Sequence, residues 1–381
     1  MDNLRYWLGF NTVRGIGPVR LRVLLERFGD VRAAWEAPQS ALREAKLDRR
    51  SLRNLLKARR QVDLDFLMRK VNEEGVQVFT WKSDGYPPLL REIDNAPPVI
   101  FVKGTLTPAD DWAVAMVGTR KSTAYGKELA QRLAGDLARN EITVVSGLAR
   151  GIDGISHRAA LEAGGRTIAV LGCGVDRIYP PEHRHLAAAI VANGALISDY
   201  PLGTPPEGKN FPPRNRIISG LSLGVVVIEA GERSGALITA DFAAEQGREV
   251  FALPGNALSP ASKGCNRLLK DGAAVVTEVQ DILETLHLNQ VAEKQVARQL
   301  LPGNATEVLI FNQLSSTPTH VDALSREIDL SIETISGTLV MMELKGLVRQ
   351  VAPLRYVSAH ESRVEYEVTP KMAAEDKEAA A

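Results

Sequence analysis

Cysteine is nearly absent from the 381-residue chain: only Cys173 and Cys265 occur, far apart in the sequence. So few thiols leave no disulfide framework and no cysteine-built metal site to organise the fold, and a reducing compartment suits them best. Histidine is scarce, at six residues, and aromatic residues make up 5%. No run approaches the ~18 consecutive apolar residues of a membrane-spanning helix. The opening MDNLRYWLGF lacks a basic region followed by an apolar core. Neither export nor membrane insertion is therefore expected, and the expected location is cytoplasmic. Net charge is also missing, because 46 Lys and Arg balance 46 Asp and Glu. That balance is uneven along the chain: residues 1–70 hold 16 basic against 8 acidic residues, whereas residues 286–381 hold 9 against 13.

What is present is an ordinary globular composition, 45% hydrophobic and 24% charged, over a length that suggests two to three domains. Residues 1–74 read as a helical domain with helices at Leu4–Asn11, Pro18–Phe28, Val31–Glu36, Pro38–Ala45 and Arg49–Val71. The turn Gly15-Ile16-Gly17-Pro18 resembles that of helix-hairpin-helix modules, where amides at a helix start can face a phosphate, and it reads equally as a plain inter-helix turn. Between Gly75 and Thr107, short apolar runs at Val76–Trp81 and Val99–Lys103 read as a small β-rich connector. From Asp111, six apolar runs alternate with helical patterns: Ala113–Val117, Ile142–Val145, Thr167–Leu171, Ala195–Ile197, Val225–Ile228 and Glu249–Leu253. This alternation predicts an α/β fold, a doubly wound, mostly parallel Rossmann-like sheet over residues 75–288. Residues 289–305 read as a linker and 306–360 as a winged helix, with three helices and a two-stranded wing over Leu347–Val357. Its recognition helix, from Ile332, carries no basic residue through Leu339, which favours protein interaction over duplex reading. Residues 361–381 read as a disordered tail.

Glycines and small polar residues follow the strands, at the edge where open α/β sheets bind ligands. Gly118-Thr119-Arg120 follows the first run and Ser146-Gly147-Leu148-Ala149-Arg150-Gly151 the second. Neither turn has the Gly-x-Gly-x-x-Gly of a dinucleotide site, so no nicotinamide cofactor is expected. Gly203–Lys209 fits a phosphate-loop spacing, but Asn210 stands where a magnesium-binding hydroxyl is required, so no ATP is expected either. Arg120, beside helix-start amides, is a candidate anion contact, with a salt bridge as its ordinary alternative. The loop PPEGKNFPPRNR supplies Lys209, Phe211, Arg214, Asn215 and Arg216, a cationic cluster with one ring on which a base could stack. Phe211 also reads as a loop anchor. Ser146 or Cys173 with His157 has no third orienting group, and His183 and His185 lack a spaced acidic partner, so neither nucleophilic catalysis nor a metal is expected.

In order, Val117–Arg120, Ser146–Asp153, Phe211–Ile218, Ser234–Ala240, Arg248–Gly255 and Gly264–Leu269 strongly resemble the DprA/Smf family over about residues 75–285. The resemblance implies an extended Rossmann-like domain, an N-terminal SAM-like (sterile α-motif) or helix-hairpin-helix-like domain and a C-terminal winged helix. It implies single-stranded DNA binding without catalysis or cofactor, protection of DNA taken up in natural transformation, delivery to RecA recombinase, and a homodimer. Its DNA pocket would include Gly118, Thr119, Arg120, Phe211, Arg214 and Asn215, to which the strand-edge and loop residues Ser146, Gly147, Arg150, Lys209 and Arg216 are added as candidates. Two alternatives are a phosphoribohydrolase-like enzyme using Glu229 and a winged-helix transcription regulator.

Overall fold

The computed structural model describes residues 3–45, 47–288, 305–314, 319–328, 330–344, 347–352 and 354–358. The chain divides into two compact units, 1–286 and 287–381. The first opens with helices α1 (Leu4–Thr12), α2 (Pro18–Phe28), α3 (Val31–Glu36), α4 (Gln39–Glu44), α5 (Arg49–Gln61) and α6 (Leu64–Glu73). Aspartates start several of them: Asp30 accepts the amides of Arg32 and Ala33, and Asp48 those of Arg50 and Ser51. The single helix expected over Arg49–Val71 is two, because Val62 and Asp63 are extended and the Asp63 carboxylate takes the Phe66 amide to begin α6. The Gly15–Pro18 turn is pinned at the Gly15 carbonyl by the Ser51 hydroxyl and by Arg20.

A nine-stranded sheet follows. Its elements are β1 (Gln77–Thr80), α7 (Pro88–Glu92), β2 (Val99–Gly104), β3 (Ala113–Val117), α8 (Ala124–Arg139), β4 (Thr143–Ser146), α9 (Ile152–Glu162), β5 (Thr167–Val170), α10 (Arg184–Ala192) and β6 (Gly194–Ser198). They continue with α11 (Phe211–Gly220), β7 (Gly224–Val227), α12 (Gly235–Glu245), β8 (Glu249–Ala252), α13 (Lys263–Lys270), β9 (Ala274–Val275) and α14 (Val279–Thr285). The strand order is β1-β2-β6-β5-β4-β3-β7-β8-β9. All neighbours from β6 to β9 are parallel, while β1 and β2 are antiparallel additions at one edge. The expected connector is therefore part of the main sheet. A seventh parallel strand, the two-residue β9, was too short to show as a separate apolar run.

Both faces of the sheet are covered. Val117, Val145, Val225 and Val227 share a cluster with Ile217 and Ile218 of α11 and Leu237 of α12. On the opposite face, Ala169 and Leu196 pack with Leu186, Ala187 and Ile190 of α10. The helical layer is continuous with the sheet, since Trp7, Phe10, Leu24, Trp35 and Leu55 share a cluster with Val99 and Phe101 of β2. Phe10 and Trp35 meet edge to face at 5.1 Å. Consecutive strands run outward from β3 to β6, and the chain then returns to place β7 on the other side of β3. The order therefore reverses between β3 and β7, and a ligand crevice is expected at their carboxyl ends.

The second unit holds α15 (Ala305–Gln313), β10 (Thr319–His320), α16 (Val321–Ile328), α17 (Ile332–Leu344), β11 (Val348–Ala352) and β12 (Arg355–Ser358). Its sheet has the order β10-β12-β11, so the expected two-stranded wing gains a third strand. Ile310, Leu324, Ile335, Leu339 and Met342 fill its core. The expected linker, apart from Ala305, and the expected tail lie outside the described residues. No helix among the described residues is long and apolar enough to cross a membrane.

Leu24 is fully buried in the cluster shared by helices and sheet. Leu24→Ala is expected to cost about 2–5 kcal/mol, read as a lower urea midpoint with an unchanged slope.

Candidate nucleic-acid interface

A cleft of about 600 Å³ opens at the strand-order reversal. Backbone bonds tie its loops together: the Thr119 amide donates to the Glu229 carbonyl (2.7 Å), and the Ile152 amide donates to the Thr119 carbonyl (3.2 Å). The turn after β3 is thus held between the turns after β7 and β4, and it presents Arg120 outward. Arg120 is exposed and forms no ion pair among the described residues, so the salt bridge considered for it is not made.

Phe211, the first residue of α11, lies opposite. Its ring presses on the turn after β5, where a Cβ on Gly172 would come within 2.8 Å of Phe211 Cδ1. The Arg120 guanidinium sits over the ring at 5.7 Å from its centroid, and that of Arg214 at 5.9 Å. Tyr179 stands 5.6 Å from Phe211, tilted by 42°.

Arg214 forms the floor and is 4% exposed. Its Nη1 donates to the carbonyls of Gly147 (3.0 Å) and Val170, and its Nε to Asn215 Oδ1 (3.2 Å). Asp153 is also buried, and its carboxylate accepts the amides of Gly147 (3.2 Å) and Ala149 (3.3 Å). Gly147 lies between the two charges: a Cβ there would sit 2.6 Å from Arg214 Nη2 and 2.8 Å from Asp153 Oδ2. Burial lowers the Arg214 pKa to about 10, although Asp153 pulls it upward. Burial pushes the Asp153 carboxyl up, with Arg214 opposing. Asn215 Nδ2 donates to the Gly235 carbonyl at 3.3 Å, linking α11 to the start of α12.

The structure therefore gathers Gly118, Thr119, Arg120, Phe211, Arg214 and Asn215 around one cleft. Gly147 and Arg150 line a small adjoining recess with Arg120, Tyr179 and Phe211, and Arg150 is ion-paired to Glu182. The other candidates sit elsewhere. Ser146 is buried and its hydroxyl donates to the Met116 carbonyl (2.6 Å). Arg216 turns toward Asp199 (2.8 Å) and the Asn95 carbonyl (3.0 Å). Lys209 is exposed and ion-paired to Glu207. The site candidates drawn from sequence did not include Tyr179, Arg233 or Ser234, although Ser234 opens one of the family motifs. Ser234 and Arg233 line the cleft just before α12, and Tyr179 follows β5 in a Tyr-Pro-Pro segment whose position after a strand was the available signal.

The chain matches the family described as DNA recombination-mediator protein A over residues 77–287, and a DprA winged-helix domain over 294–352. The chain belongs to the DNA processing protein A family. It is 34% identical to Protein Smf of Synechocystis over 92% of this chain and 98% of that protein. The solved structure of DNA processing protein A from Streptococcus pneumoniae superposes with a TM-score of 0.66 and 35% identity, covering 74% of this chain and 97% of that one. A structure of the Helicobacter pylori protein, described for its single-stranded DNA binding mode, gives 0.50 and 30%, covering 57% and 98%.

The three side chains considered for catalysis, Glu229, Cys173 and His157, are each held by hydrogen bonds. Glu229 is 4% exposed, and its carboxylate accepts both the Thr123 amide (2.9 Å) and hydroxyl (2.7 Å) at the start of α8. Cys173 donates to the Arg177 carbonyl at 3.1 Å, and burial pushes its thiol up to about 11. The Thr167 hydroxyl donates to the Val144 carbonyl, so His157 Nδ1–H, 2.6 Å away, is the donor to Thr167 Oγ1.

His157 is wholly buried, and burial lowers its pKa to about 3. As pH falls below the ordinary value near 6.5, the unfolded chain takes up this proton first, so stability is lost between about pH 6.5 and 3 and is fully present above. His157→Gln is expected to flatten the pH dependence of the urea midpoint across that window.

Proposed function

We propose that this protein is a non-enzymatic, cofactor-free binder of single-stranded DNA, which protects incoming strands in natural transformation and hands them to RecA recombinase. The observation that carries the reading is the exposed Arg120, without an ion pair among the described residues, standing over the Phe211 ring at the mouth of the sheet. An entering strand exchanges that contact for two better ones, a phosphate on the guanidinium and a base on the ring. Stacking needs an unpaired base, which selects single strands over duplex. The buried Arg214 holds the loop that presents these groups and adds positive potential from below.

The similarity to the Helicobacter pylori protein supports the single-strand preference, and membership of a recombination-mediator family supports the RecA step. A homodimer is supported by exposed apolar side chains of the sheet unit, Val275 of the edge strand β9 at 55% and Leu258 of the loop before α13 at 88%. A protein-binding role for the winged helix is supported by α17, where Ile332, Val340 and Met341 are each about half exposed.

Phe211→Ala is expected to weaken binding of a short oligothymidylate by about 1–3 kcal/mol. Arg120→Ala is expected to weaken it and to reduce the salt slope by about 0.7. Gel shifts at matched salt showing neither change would discard the cleft. Deleting residues 300–381 is expected to leave single-strand binding largely intact, whereas a winged-helix regulator would lose its duplex binding.

A further inference from the structure

Helices α4 and α5 enclose a second groove, of about 890 Å³, lined by Arg43, Arg49, Arg53, Lys57 and Arg60. Four of these cations recur along α5 at spacings of four, four and three residues, which sets them in one stripe on the helix. Arg43 faces them from α4. All five are exposed, and none forms an ion pair among the described residues.

The surrounding carboxylates are engaged by other arginines. Asp48 caps α5 and pairs with Arg20 (2.8 Å), Glu44 pairs with Arg27, and Glu36 pairs with Arg32 and accepts the Tyr6 hydroxyl. The floor is rigid, because Leu52 belongs to the core cluster shared with the sheet and Leu47 and Leu56 pack against it. Five like charges held on such a floor repel one another and gain from a polyanion that spans them.

Length and lining identify that polyanion. From Arg49 to Arg60 the stripe runs about 16 Å at 1.5 Å per residue. One strand of a duplex presents a phosphate about every 3.4 Å of axis, so the stripe matches on the order of five successive phosphates. No aromatic ring lines the groove, in contrast to the strand-edge cleft with Phe211 and Tyr179. The groove thus recognises backbone charge without stacking on bases. We infer that the α4–α5 groove is a second nucleic-acid site that grips the phosphate backbone of duplex DNA without reading its sequence.

The test titrates a blunt-ended duplex into the full chain by fluorescence anisotropy, from about 50 to 200 mM salt. Arg53→Glu combined with Lys57→Glu is expected to weaken duplex binding at least about tenfold at the lower salt and to reduce the salt slope by about 1.8. Arg53→Lys, which keeps the charge, is expected to bind as the parent does. Circular dichroism confirms that each variant is folded, and Arg53→Gln with Lys57→Gln replaces the reversal if that protein is not. Unchanged duplex affinity and slope in a folded double variant overturns the inference. So does loss of polyglutamate binding with duplex binding intact, which would assign the groove to an acidic peptide. The inference does not rest on the strand-edge reading, whose oligothymidylate titration of Arg120→Ala succeeds or fails separately.

Discussion

The candidate site depends on a buried charge. Arg214 carries its guanidinium into the sheet's carboxyl edge, where the carbonyls of Gly147 and Val170 and the nearby Asp153 carboxylate replace the water it has lost. A lone buried cation is costly, and one with fixed acceptors becomes a strut. This strut joins α11 to the turns after β4 and β5. The same helix begins with Phe211, so anchoring Arg214 also sets where the ring stands and what Arg120 can lie against. Gly147 is required there because any side chain would collide with both buried charges.

Around that strut, two kinds of arginine separate. Some complete the protein: Arg214 in the floor, Arg216 against Asp199, and Arg59 with its donors on the Ala34 and Ala37 carbonyls. Others remain available, namely Arg120 at the sheet edge and the stripe on α5. The neutral overall charge conceals this division, since carbonyls and, for Arg216, a carboxylate engage the first kind and leave the second facing solvent. A cleft with a ring and a groove without one then suit different forms of the same polymer.

Much of the fold was legible in the sequence. The six apolar runs became β3 to β8 within a residue or two, because buried parallel strands need continuous apolar stretches and the signal is local. The break between α5 and α6 was missed because Asp63 acts through a cap bond rather than through hydrophobic period. The antiparallel placement of β1 and β2 was also hidden, since pairing partners lie far away in sequence.

The sequence by itself determined the alternation of strand and helix, the small residues at the strand ends, and the family motifs that carry Gly118, Thr119, Arg120, Phe211, Arg214 and Asn215 to one edge. These follow from backbone geometry and short-range periodicity, which a few neighbouring residues specify. Only the tertiary structure decided which cations stay free. That depends on which carboxylates and carbonyls arrive through space, and it put Arg216 beside Asp199, Arg150 beside Glu182 and Arg214 beneath Gly147, while leaving Arg120 open over Phe211.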